Sequence, residues 1–98
     1  MVTVGILATL KAKPGKEDEL AKFLADALPL AQAEPATTAW FAIKIDDSTY
    51  GIFDAFPDGE GRQAHLGGQI AAALMARADE LLSEAPAINP VDVLAAKL

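Results

Sequence analysis

The chain has no cysteine, which excludes disulfides, thiolate metal sites and a thiol nucleophile, and fits a reducing compartment. Histidine, tryptophan and tyrosine occur once each, and the sole asparagine is Asn89. One histidine, with no carboxylates at ligand spacing beside it in the sequence, calls for no metal. Basic residues are also scarce: 8 Lys and Arg stand against 14 Asp and Glu, for a net charge of −6. A phosphate-rich partner is repelled by that balance and no basic stripe reverses it locally, so no nucleic-acid partner is expected. No apolar run reaches the ~18 residues of a membrane span. In the opening MVTVGILATLKAKPGK the charges follow the apolar run, the reverse of a signal peptide. These absences predict a cytoplasmic protein with no membrane partner.

Apolar residues, in contrast, are abundant. They make up 52% of the 98 residues, enough to offset chain entropy around one core, so residues 1–98 are expected to form one domain. Residues 2–12, VTVGILATLKA, are β-branched and apolar and read as a strand, broken by Lys13-Pro14-Gly15. Leu20, Phe23, Leu24, Ala27, Leu28 and Ala31 then recur at three- and four-residue steps, the apolar face of a helix. Glu17, Asp18 and Glu19 suit its first turn. Pro29 should kink or split it, and Glu34-Pro35 closes it.

Residues 37–45 and 49–56 read as a hairpin around Asp46-Asp47-Ser48. Asp58 suits the N-cap of a helix over 60–66. Gly67-Gly68 interrupts that helix, leaving room for a ligand or a partner chain, and it resumes over 69–82. Pro86 and Pro90 bracket a loop, and residues 91–98 read as a last strand. The order βαββαβ, joined by right-handed crossovers, predicts an α+β, ferredoxin-like fold: a four-stranded antiparallel sheet with its helices on one face. The strands are apolar on both faces, with Trp40, Phe41, Ala42 and Ile43 in succession on the second. Two helices cover only one face, so the other is expected to pair with a second copy in a homodimer.

The βαββαβ order, the first strand leading into KPGKEDELAKFL, the hairpin AWFAIKIDDSTYGIFDAF and the helix start GRQAHL together resemble the antibiotic biosynthesis monooxygenase family, of the dimeric α+β barrel superfamily. The resemblance spans essentially the whole chain. It implies a dimeric barrel and, in some members, cofactor-independent oxygenation of quinol- or anthrone-like aromatics. Other members degrade haem, isomerise a small sugar-derived signal, or have no known activity. The haem-degrading pattern needs an Asn on the first strand, a Trp ending the third and a His on the next helix. Only His65 matches: the first strand has no Asn, and Phe56 stands where the Trp would fall.

Chemistry therefore centres on residues 53–69. His65 is the natural acid/base group, its ordinary pKa of ~6.5 lying near neutrality; the alternative is a histidine at a helix end or on a dimer surface. Arg62, one turn earlier, can anchor an anionic ligand, or it can pair with Asp58 or Asp54. Asp54 alternates with Ile52 and Phe56 on one strand face, where a carboxylate must find a partner; it orients His65 or holds Arg62. Trp40, Phe41, Phe53 and Phe56 line a flat pocket for an aromatic ligand, or they are core. On this reading the protein is a cofactor-free monooxygenase or isomerase acting on a small-molecule ligand. The competing reading is a dimeric ligand-binding or stress-associated module without chemistry. If His65 is a lone base, His65→Gln should lower turnover at least ~10²-fold and scarcely move the melting temperature.

Overall fold

The computed structural model describes residues Met1–Leu98. Its elements are β1 (Val4–Lys11), α1 (Glu17–Asp26), α2 (Leu28–Gln32), β2 (Ala39–Lys44), β3 (Thr49–Phe56), α3 (Gly59–Leu66), α4 (Gln69–Leu81) and β4 (Ala87–Asp92). The strands form one antiparallel sheet in the order β2-β3-β1-β4, the α+β ferredoxin-like arrangement that the element order predicts.

Local chemistry sets the boundaries. After β1, Lys16 N donates to Lys13 O at 2.9 Å across Pro14-Gly15, and Gly15 takes φ +85; proline before a left-handed glycine is the type II turn pattern. Pro29 stands in the first turn of α2 and separates it from α1, because a proline ring is tolerated only where no helical N–H is required. The hairpin turn is held by Asp46 Oδ1, which accepts from Ser48 N at 3.0 Å and Thr49 N at 2.8 Å. Asp58 caps α3 by accepting from Gly61 N at 3.0 Å, an interaction worth about 1 kcal/mol.

One predicted element lies elsewhere. The last strand is Ala87–Asp92 rather than residues 91–98, and Pro90 sits inside it, not in a loop. Val93 N donates to Thr3 O at 2.9 Å, so in the β1–β4 register Thr3, Gly5 and Leu7 face their partners in hydrogen-bonded pairs. Ile6↔Pro90 is then a non-hydrogen-bonded pair, and the missing N–H of Pro90 points away from β1.

The two sheet faces differ. Ala8, Leu10, Tyr50 and Ile52 meet Leu20 and Leu24 of α1 and Leu74 and Leu81 of α4 in the main core. The opposite face carries Leu7, Phe41 and Ile43 at 36%, 51% and 39% exposure, with half-buried Phe53 and Val91. No helix is long and apolar enough to cross a membrane.

Candidate functional site

Between the helix-side face of β3 and the ends of α2 and α3 lies a cluster of three ionisable side chains. β3 supplies Asp54, which is 1% exposed among apolar neighbours. The Asp58 cap starts α3 so that His65 falls in its last turn, facing the sheet and 7% exposed. The loop after α2 supplies Glu34. His65 Nε2 lies 2.8 Å from Asp54 Oδ2 and Nδ1 lies 2.6 Å from Glu34 Oε1. Thr37 Oγ1 donates to the same Glu34 oxygen at 2.8 Å. The imidazole is thus clamped between two carboxylates. Phe56, fully buried, has its ring centroid 5.4 Å from that of His65.

Electrostatics follow from that geometry. Burial alone would pull the His65 pKa down, but the hydrogen bonds to Asp54 and then Glu34, with their charges, override it and push the value up to about 9. At neutral pH His65 is therefore an imidazolium donating from both nitrogens. Both ring nitrogens are engaged by carboxylates, so His65 fixes and neutralises Asp54 and Glu34. The unengaged proton-accepting atom is Asp54 Oδ1, which is buried without a hydrogen-bond partner in the protein. Trp40, the register partner of Asp54 on β2, likewise has a buried indole Nε1 with no partner.

In the Gly67-Gly68 break, the glycine at 68 is explained by Glu34. A Cβ at Gly68 would lie 2.9 Å from Glu34 Oε2 and 3.2 Å from His65 O. The room it leaves is occupied by this carboxylate, not by a ligand or a partner chain. At Gly61 a Cβ would meet Ala36 O at 3.2 Å and Ala36 Cβ at 3.3 Å, so glycine lets α3 approach the α2–β2 loop closely enough for His65 to reach Glu34.

The structure brings His65 and Asp54 together but not Arg62. Its Nη1 donates to the carbonyls of Val91 at 3.3 Å and Gly5 at 3.5 Å, tying α3 to β1 and β4; no ion pair forms with Asp54 or Asp58. The four aromatics are divided by the sheet. Trp40 and Phe56 are on the helix side, whereas Phe41 and Phe53 pair with each other on the opposite face and line a separate groove of about 220 Å³ with the C-terminal residues. Glu34 is absent from the sequence-based set because it lies 31 positions from His65. Its only local signal is a carboxylate at the end of a helix, before a proline and three residues ahead of a threonine.

Two small cavities flank Thr37. One, about 210 Å³, is lined by Glu34, Gly61, Ala64 and His65 among others. The second, about 250 Å³, runs between α2 and Trp40.

No family model matches the sequence, and no curated protein matches it significantly. Solved structures do. A Caulobacter crescentus protein described as a "putative antibiotic biosynthesis monooxygenase" superposes with a TM-score of 0.80 at 23% identity, over 96% of this chain and 92% of that one. A Nitrosomonas europaea protein described in the same words gives 0.82 at 11% identity, over 94% and 90%. At such identities the likeness carries the fold, and the chain has the antibiotic biosynthesis monooxygenase-like fold. A second Nitrosomonas europaea protein, NE2512, described as of unknown function, is 62% identical over 100% of this chain and 95% of its own, with a TM-score of 0.98. The chain belongs to one family with NE2512.

Proposed function

We propose that the protein is a cofactor-independent monooxygenase of the antibiotic biosynthesis monooxygenase type, acting on a small aromatic, quinol-type or enolisable metabolite as a homodimer paired through the free sheet face. The observation that carries the reading is the Glu34–His65–Asp54 clamp, which leaves one buried carboxylate oxygen, Asp54 Oδ1, as the proton acceptor. The descriptions of two neighbours of the same fold support the reaction class, and Asp54 is the base in this reading.

The chemistry balances with dioxygen as co-substrate. Asp54 Oδ1 removes the proton of an enolic or phenolic hydroxyl, and the resulting enolate, a carbanion at the conjugated ring carbon, passes an electron to O₂. Recombination forms a carbon–oxygen bond, and the proton held on Asp54 completes a hydroperoxide. Loss of water then breaks the O–O bond and leaves the carbonyl, so one substrate and one O₂ give one quinone-type product and one water. No net proton crosses the site. His65 keeps Asp54 in place throughout, its positive charge stabilising the carboxylate whenever it is ionised.

Oxygen uptake with anthrone- or dihydroxynaphthalene-type substrates tests this. Wild-type protein should consume O₂ and form product one to one without releasing peroxide, and Asp54→Asn should slow turnover at least ~10²-fold, the usual worth of one positioned base. Asp54 is 1% exposed and the adjoining cavities are small, which favours a second reading, a dimeric ligand-binding module without turnover. Binding of these compounds with no O₂ uptake would establish that reading instead.

A further inference from the structure

We infer that Trp40 Nε1 and Asp54 Oδ1 form a recognition pair for one hydroxyl group of an aromatic or enolic ligand, reached through the groove between α2 and β2. This rests on the site proposed above and specifies what that site selects. Trp40 and Asp54 face each other across β2 and β3 on the helix side of the sheet, where directly opposed Cβ atoms stand roughly 4.5–5.5 Å apart. One carries a buried donor and the other a buried acceptor, and neither finds a partner in the protein. Leaving such groups unpaired is costly, so the pair is poised for a group that satisfies both.

The combination is selective. An indole N–H only donates and a carboxylate oxygen only accepts. A single hydroxyl oxygen accepts from the first while its hydrogen is donated to the second. A ketone or an aryl ether satisfies Trp40 and leaves Asp54 unpaired, and a carboxylate is repelled by it. The other charged groups near Asp54 do not blur this choice, because His65 is bound at Oδ2 and Glu34 lies beyond it. The groove of about 250 Å³ is lined by Leu28, Ala31, Gln32, Thr37, Thr38 and Trp40 itself. Its volume is below that of a drug-sized site and fits one small ring system.

Because Trp40 is the sole tryptophan, its indole gives a single ¹⁵N–¹H cross-peak that reports this contact directly. Under anaerobic conditions, 1,4-dihydroxynaphthalene should shift that peak and bind at least ~10-fold more tightly than its dimethyl ether, as expected for one hydrogen bond to a charged group. Trp40→Phe should weaken diol binding about tenfold in calorimetry and leave the melting temperature unchanged or raised. An indole peak unmoved at saturating diol, equal affinity for diol and diether, or unaltered diol binding by Trp40→Phe would each overturn the inference. Asp54→Asn should narrow the diol–diether gap; if it does not fold, the Trp40→Phe and ether comparisons still decide. Binding with the indole shift but without O₂ uptake would remove the oxygenase reading and keep the site. Oxygen uptake with a silent indole would do the reverse.

Discussion

A single imidazole between two carboxylates makes His65 a stability element whose contribution depends on pH. Its folded pKa, about 9, lies above the ordinary imidazole value of 6.5. The contribution is therefore complete below about pH 6.5 and disappears as pH rises through 9, amounting to on the order of 3 kcal/mol over that interval. Denaturant midpoints should fall between pH 6.5 and 9.5, and a proton NMR titration of the only histidine should give a midpoint near 9. A midpoint near 6.5 would show that the clamp does not persist in solution. The same geometry corrects the expectation that His65→Gln spares the fold. Without the imidazolium Asp54 is left buried and unpaired, a loss of roughly 3–5 kcal/mol. Melting should drop by more than ~10 °C in calorimetry, given the usual 4–8 °C per kcal/mol for domains of this size.

Among the elements, the α3–α4 junction has the most pointed consequence. Gly68→Ala introduces a methyl 2.9 Å from Glu34 Oε2; Gly68 has φ −89, so the effect is displacement of the carboxylate rather than backbone strain. Loss of the Glu34 contact should lower the His65 pKa, read from the same histidine titration, with secondary structure unchanged by circular dichroism. Periodicity made α1, the hairpin and α4 legible in the sequence, because each buries one stripe or face, and the Asp58 cap and the Pro29 split follow from local backbone chemistry. Pro90 misled because proline reads as a strand breaker; it is accepted here on an outer strand at a position that needs no donor. The pairing of His65 with Asp54 was one of two partners open to Asp54 in the sequence. Glu34 was not legible, since its contact with His65 is made only when the α2–β2 loop folds against α3. Phe41 and Phe53 were grouped with Trp40 and Phe56 by residue type, and the two-residue alternation of the strands divides them between the faces.

At the scale of the whole molecule, the apolar face opposite the helices is the feature that calls for a second copy. Leu7, Phe41 and Ile43 are exposed on it while the helices cover the other side. Sedimentation at micromolar concentration should give about twice 10.2 kDa. Ile43 is 39% exposed on the free face, so Ile43→Lys should yield a folded monomer whose melting temperature no longer depends on concentration; a wild-type monomer would remove the argument. The sheet also ends in β4, an outer strand whose Pro90 turns its absent N–H outward. An unpaired strand edge is a template for indefinite stacking of one chain on the next, and a proline in that edge interrupts the row of donors such stacking requires. Pairing can therefore proceed face to face while growth into fibrils along this border is blocked.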